Sequence, residues 1–322
     1  MILVTGGLGF IGTHTTRALL DLGESCVLVQ RRATDVPDLF ADEAGKRLFV
    51  EQADINDRAA LLEIGARHKI TGIVHLAGSV PWPPGAHEPL ESARRALDSL
   101  FNILEAARAW QVARVGLAST IGVYGGVAGP GPLREDLPLP MTAEHAIPAF
   151  KKIGELLSDH LAELIGIQVY NARIAAIWGP LGRPAGPFFA ASRLVHAAAR
   201  GIEADLSGMY APAYLGDAID LCYVKDCGRA IALLQVADRL SYRTYNVASG
   251  RATSNDEVIA AIKKVVPDAR LDLPAGRNPD GPEHDLCLDI SRLHEDTDFT
   301  PDYDIERAVA DYLDWLRAGN DR

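Results

Sequence analysis

Short apolar runs alternate with longer amphipathic stretches through the first half of the chain. Runs at residues 2–4, 26–29, 48–50, 72–76, 114–118 and 168–174 have the length and texture of buried strands. Between them, residues 59–67, 91–110 and 151–165 repeat apolar positions at helical spacing. Strand and helix in alternation predict an α/β fold, a doubly wound parallel sheet with helices on both faces. The texture changes after residue 178. Gly179-Pro180, Gly182-Arg183-Pro184 and Gly186-Pro187 interrupt regular structure, a helix is expected over 188–200, and loop-rich sequence follows to residue 218. Two later pieces, 221–224 and 244–247, read as sheet elements. Ile305, Val309, Tyr312, Leu313 and Leu316 mark one face of a closing helix. The expected division is a larger unit at 1–178, joined by segments from 220–249, and a smaller, mostly C-terminal unit at 179–322. No internal repeat, low-complexity tract or flexible linker is evident.

The totals narrow the classes of function. With 322 residues the chain can bury a substantial core, and 48% hydrophobic with 23% charged residues is ordinary for a globular protein. A formal net charge of -11 argues against nucleic acid or an anionic membrane as partner. No apolar run reaches the roughly 18 residues of a membrane helix. The first residues form a strand rather than the basic region and cleavage site of a signal peptide. Cys26, Cys222, Cys227 and Cys287 form no C-x-x-C pair and no cluster with histidines, so buried reduced thiols are expected and no metal site. These features fit a cytoplasmic enzyme acting on a small molecule.

The most informative motif is Val4-Thr5-Gly6-Gly7-Leu8-Gly9-Phe10-Ile11-Gly12, placed directly between an apolar strand and an apolar helix. Glycines at 6, 9 and 12 suit a tight turn, close approach of backbone to a pyrophosphate, and helix–strand packing, as in a Rossmann dinucleotide fold. The helix start, with Phe10 and Ile11, would present free N–H groups to the phosphates. Gln30-Arg31-Arg32 ends the second strand, where an acidic residue would select NAD through the ribose hydroxyls. Glutamine and two arginines could instead hold a 2′-phosphate, which favours NADP over NAD, unless the loop is simply a solvated basic turn. Asp54-Ile55, past the third strand, would reach the adenine, or Asp54 is an ordinary helix cap.

With these residues in view, the chain resembles an extended short-chain dehydrogenase/reductase, the family of nucleotide-sugar epimerases, dehydratases and related ketone reductases. The likeness rests on the loop at 5–12, His75-Leu76-Ala77-Gly78, Ser119-Thr120-Ile121-Gly122-Val123-Tyr124-Gly125, the segment 173–180, Asp220 through Asp226, and Tyr245-Asn246-Val247. It covers nearly the whole chain. It implies a NAD(P)-dependent enzyme, with Leu76, Ala77, Gly78, Ala176 and Ile177 beside the cofactor. It also implies a catalytic Ser/Thr, Tyr and Lys, the last two spaced Tyr-x-x-x-Lys on one helix. Thr120, with Ser119 beside it, falls at the hydroxyl position. Lys151 fits the lysine, since Glu155 follows four residues later, and it would also hold the nicotinamide ribose.

Two family residues are missing. Counting back four from Lys151 gives Ile147, and from Lys152 gives Pro148, so the tyrosine is absent from its usual place. Ala96 stands where an asparagine is expected. A positioned acid/base is worth about 10²–10⁴ in rate. His145, Tyr124, Tyr210 and Tyr214 are the candidate substitutes. Ile219 replaces the arginine that meets a substrate diphosphate in nucleotide-sugar members. Together with Trp82, Ile147, Trp178, Met209 and Tyr210 it suggests a small, apolar carbonyl or alcohol as substrate. Three readings stay open: an atypical oxidoreductase or epimerase/dehydratase-like enzyme, a non-redox lyase, isomerase or cyclase with retained cofactor, and a non-catalytic NADP-binding protein. The resemblance further implies a homodimer through the fourth and fifth helices, with Leu97, Leu100, Ile103, Leu104, Leu156, Leu157 and Leu161 as candidate contacts.

Overall fold

The computed structural model describes residues 1–32, 36–78, 88–127, 129 and 131–321. In chain order the elements are β1 (Ile2–Thr5), α1 (Phe10–Asp21), β2 (Cys26–Gln30), β3 (Leu48–Gln52), α2 (Arg58–Arg67), β4 (Gly72–His75), α3 (Pro89–Trp110), β5 (Arg114–Thr120), α4 (Ala146–Ile165), β6 (Gln168–Ile174), β7 (Ala176–Trp178), α5 (Ala191–Arg200), β8 (Ala218–Tyr223), α6 (Val224–Val236), β9 (Thr244–Val247), β10 (Ala252–Ser254), α7 (Asn255–Val265), α8 (Ser291–Thr297) and α9 (Ile305–Arg317). Seven strands form one sheet in the order β3-β2-β1-β4-β5-β6-β9, and every neighbouring pair is parallel. This is the doubly wound Rossmann arrangement.

Side chains on successive strand residues point to opposite faces, and both faces are buried. On β1, Ile2 and Val4 enter the core with Leu19, Leu20 and Ile231, under α1 and α6. Leu3 enters the opposite core with Leu61, Ile64, Ile103 and Leu104, under α2 and α3. That double burial explains why the strands read as continuous apolar runs. Each fully buried aliphatic side chain contributes about 2 kcal/mol.

A second core, built on Trp178, Leu194, Tyr223, Val258, Ile262, Val309 and Tyr312, lies among α5, α7 and α9. It packs on a separate sheet ordered β10-β8-β7. Segment 220–249 therefore divides. β9 joins the large sheet and α6 covers it, whereas β8 pairs with β7 and antiparallel β10. Two helices start away from their sequence-based positions. α4 begins at Ala146, because Pro148 falls in the first turn, where its missing N–H costs nothing. α5 begins only at Ala191, after the Gly186-Pro187 break.

Candidate active site

The carboxyl ends of β1 and β4 meet where the strand order reverses, the place where ligands bind in sheets of this kind. The turn leaving β1 is shaped by two glycines. Gly6 has φ +69°, a left-handed conformation that favours glycine. A Cβ on Gly12 would lie 2.0 Å from the Gly6 carbonyl oxygen, so a side chain there forces the turn apart. Gly9 donates to that same oxygen at 2.8 Å and serves as the N-cap of α1 without a capping side chain. The first turn of α1, at Phe10 and Ile11, carries no acidic residue, so its N–H groups and positive dipole end suit an anion.

This turn borders a cleft of about 630 Å³, lined also by Gln30, Arg31, Asp54, Ile55, Ala77 and Gly78. Its size and its glycine cradle fit a dinucleotide. Arg31 and Arg32 are exposed at the end of β2. Burial works against ionised Asp54, yet bonds from Asn56 and Arg95 hold its carboxyl below the usual carboxylate range. Arg95 reaches Asp54 at 3.0 Å across the cleft wall. Arg95, Ser92, Glu91 and Glu88 line the cleft from the start of α3, and sequence reasoning missed them. Their only signal was their place about two to four turns before Asn102, which ties α3 to the Ile55 carbonyl at 2.9 Å.

Deeper along the sheet edge, Thr5 Oγ1 accepts from the Ala77 amide and shares a hydrogen bond of 2.8 Å with His75 Nδ1. Burial, aided by nearby Lys151, pushes the His75 ring down to about 3, so it is neutral. Lys151 lies beyond it. Its Nζ donates to the Ala118 carbonyl at 2.6 Å in a small pocket shared with His75, Ala96 and Ser119. Burial pushes the Lys151 amine down to about 8, against the pull of Glu155 one turn on. Lys152 instead turns to the Pro140 and Thr142 carbonyls, which separates the two lysines by role. Ile147 is the second residue of α4, one turn before Lys151, where the sequence pattern calls for a phenol.

Thr120 ends β5 half-buried, and its Oγ1 accepts from the Gly122 amide at 3.2 Å, leaving its own proton to donate. Ser119 and Tyr124 turn elsewhere. The Ser119 hydroxyl donates to Glu155, which pairs with Arg173 at 2.7 Å, both side chains under 10% exposed. Arg173 donates to the Tyr124 hydroxyl at 3.0 Å, and that hydroxyl donates to Asn246 at 2.8 Å. Burial pushes the Tyr124 phenol up to about 12. Tyr124 is thus held inside the protein rather than at the cleft.

The remaining candidates scatter. His145 is the N-cap of α4, its Nδ1 accepting from the Ile147 amide at 3.3 Å. Its ring stacks on Phe188 at 5.9 Å, and Phe188 meets Tyr210 at 6.4 Å, so these rings bridge α4 and the segment around α5. Tyr210 is 65% exposed, and Met209 packs partly on the second core. Trp178 is 1% exposed, wedged between Tyr223 and Tyr312, and lines a small pocket with Leu221, Tyr303 and Ile305 rather than the dinucleotide cleft. Ala176 is buried on β7 with Ile177 beside it. Ile219 sits on β8 opposite Thr253. Trp82 lies outside the described residues. The loop after β7 closes onto α1, where His14 bonds to the Pro180 carbonyl at 3.0 Å and the Phe10 ring packs beside Gly182.

A glycine cradle at the topological switch, with a half-buried lysine and a strand-end hydroxyl, defines a dinucleotide-dependent enzyme of the short-chain dehydrogenase/reductase type. Residues 2–248 match the model of the NAD dependent epimerase/dehydratase family, and the chain belongs to that family. It is 26% identical to the dTDP-glucose 4,6-dehydratase of Escherichia coli over 98% of this chain and 92% of the relative. Among solved structures it is similar to the UDP-glucose 4-epimerase of Thermotoga maritima with UDP-glucose, at TM-score 0.81 and 21% identity, covering 99% of both chains. It is also similar to the Thermus thermophilus UDP-glucose 4-epimerase in complex with NAD, at TM-score 0.78 and 23% identity, again over 99% of both.

Proposed function

We propose that the cleft holds a nicotinamide dinucleotide, preferentially NADP, and that the enzyme performs redox chemistry at a carbinol or carbonyl carbon without the usual phenol. The Gly6–Gly12 turn and the start of α1 would take the pyrophosphate, Arg31 and Arg32 the 2′-phosphate, Asp54 and Ile55 the adenine end, and Lys151 the nicotinamide ribose. When bound, the nicotinamide ring supplies or accepts hydride. The observation that carries the reading is the inward, half-buried Lys151, bonded to the Ala118 carbonyl at 2.6 Å, with Ile147 one turn before it. Thr120 keeps a proton to donate to a substrate oxygen, and His145 at the N-cap of α4 is the alternative. Lys151 would stabilise negative charge developing on that oxygen.

For the substrate, the relatives named for dTDP- and UDP-glucose favour a nucleotide sugar over the small apolar carbonyl expected from the sequence. A second reading stays with the smaller substrate, because Ile219 offers no charge to a diphosphate. The deciding experiment offers the purified protein with NADPH or NADP both UDP- and dTDP-hexoses and a panel of apolar ketones and alcohols. Change in the reduced-nicotinamide absorbance with the sugar nucleotides supports the main reading. Turnover confined to the apolar panel supports the second. Product formed with no hydride isotope transferred through the cofactor rejects redox chemistry.

A further inference from the structure

We propose that Phe188 and Tyr210 form, with His145, a shelf that packs on the substrate ring next to the reacting carbon, and that Arg193 is the positioning residue that holds the shelf in place. The location of the substrate rests on reading the cleft as a dinucleotide site. His145 caps α4 just before Ile147, and the bond it accepts from the Ile147 amide fixes its ring at the end of the helix that carries Lys151. The His145 ring stacks on Phe188 at 5.9 Å, and Phe188 meets Tyr210 at 6.4 Å, separations within the range of attractive ring pairs. Phe188 is 46% exposed and Tyr210 still more so, and the row of rings runs from the first turn of α4 out to solvent.

Phe188 and Tyr210 stand on loops rather than on helices or strands, and a loop keeps one shape only where its backbone groups are bonded. Arg193, on the first turn of α5, supplies those bonds. Its guanidinium donates to the Gly186 carbonyl at 3.1 Å, the Ala185 carbonyl at 3.3 Å and the Asp205 carbonyl at 2.7 Å. The Tyr210 amide donates to the Pro187 carbonyl at 2.7 Å. One planar fork thus ties the loop before Phe188 to the loop that leads to Tyr210. The single point of a lysine ammonium does not cover that span. Exposed rings on a fixed backbone make a contact surface for an apolar face. The substrate ring beside the reacting carbon offers one, either the C–H face of a hexose in a nucleotide sugar or the flat face of an aryl ketone. The two sources share one chemistry, and binding separates them.

Calorimetry with the full chain and saturating NADP reads the share of affinity that the ring supplies. UDP-glucose is compared with UDP, and acetophenone with 2-butanone. In one pair the ring-bearing probe is expected to bind about tenfold or more tightly than its counterpart. Phe188→Ala should cut that ratio by about tenfold while UDP and 2-butanone bind as before. A response in the sugar pair assigns a hexose, and one in the ketone pair an aryl substrate. Ratios unchanged in both pairs, in a variant of native melting temperature, overturn the shelf, as does failure of both ring probes to bind. Arg193→Ala should lose as much as Phe188→Ala, and the double variant less than about threefold more than either, because both act through one surface. Losses that multiply overturn the positioning role. Should Arg193→Ala fail to fold, Arg193→Lys keeps the charge without the fork. It is expected to lower the same ratio by about threefold or more, and no change overturns the role of Arg193. Ring probes held by a protein that binds neither NADP nor NADPH support the shelf and sink the reading of the cleft.

Discussion

Single residues set the chemistry of this site. Lys151 is held below the ordinary lysine value of 10.5, at about 8, because its surroundings are dry. That shift corresponds to about 3 kcal/mol of instability when the amine is charged. Between pH 8 and 10.5 the unfolded chain binds more protons at this group than the native one. Native stability should therefore rise with pH across that window relative to Lys151→Met, and thermal unfolding of the pair as a function of pH measures it. Activity carries the opposite sign, since kcat/KM should fall as pH rises through about 8 if the ammonium is the working form. Ile147→Tyr supplies the phenol that the lysine would tune, and an increase in carbonyl-reductase rate of about tenfold or more is expected. No gain, with folding intact, would show that the missing phenol does not limit the enzyme.

What the chain discloses about its residues depends on how local the reason is. The roles of Gly6 and Gly12 are legible because turn geometry follows from adjacent positions. Lys151 lies on α4 as the sequence suggests, and its bond to the Ala118 carbonyl, against the Pro140 and Thr142 carbonyls for Lys152, separates the two. Arg95 was not legible, because its bond to Asp54 depends on elements far apart in sequence meeting in space. Trp178 shows the limit of a local signature: it belongs to a core and also lines a small pocket away from the dinucleotide cleft, and an aromatic residue just before Gly-Pro does not say which pocket it faces.

Elements are fastened to one another by the buried polar group behind the site. Glu155 on α4 joins Ser119 on β5 and Arg173 on β6, and Arg173 continues to Tyr124 and so to Asn246 on β9. Removing one partner of a buried ion pair leaves the other charge uncompensated. Glu155→Ala should cost about 3–5 kcal/mol in chemical denaturation and disturb the Ser119–Thr120 strand end. The turn between β1 and α1 is equally intolerant. Gly12→Ala puts a methyl against the Gly6 carbonyl, so a loss of about 1–3 kcal/mol and of dinucleotide binding is expected by thermal shift and calorimetry. Element order and the parallel sheet were readable from periodicity. The transfer of β7 and β8 to a second sheet was not, since an apolar run does not say which strand it pairs with.

At the scale of the whole molecule, the exposed faces of α3 and α4 stand out. Phe101 on α3, and Ile153, Leu156 and Leu164 on α4, are exposed apolar side chains on adjacent helices. We propose that a second copy covers this face, giving the two-fold dimer expected from the family resemblance. Leu100, Ile103 and Leu104, named from the sequence as contacts, are spent in the intrachain core. Light scattering should find a dimer that dissociates on the double change Leu156→Glu and Ile153→Glu, while the circular dichroism spectrum keeps its native form. A monomer before mutation would reject the proposal.

The latch formed by His14, Pro180, Phe10 and Gly182 carries a kinetic consequence. The strap that follows β7 toward α5 is anchored on the helix whose first turn would grip the pyrophosphate. A nucleotide seated there stiffens the strap's mooring before any second reactant arrives. Compulsory-order turnover is thus expected, with dinucleotide entering first and leaving last, and product-inhibition patterns would reveal it.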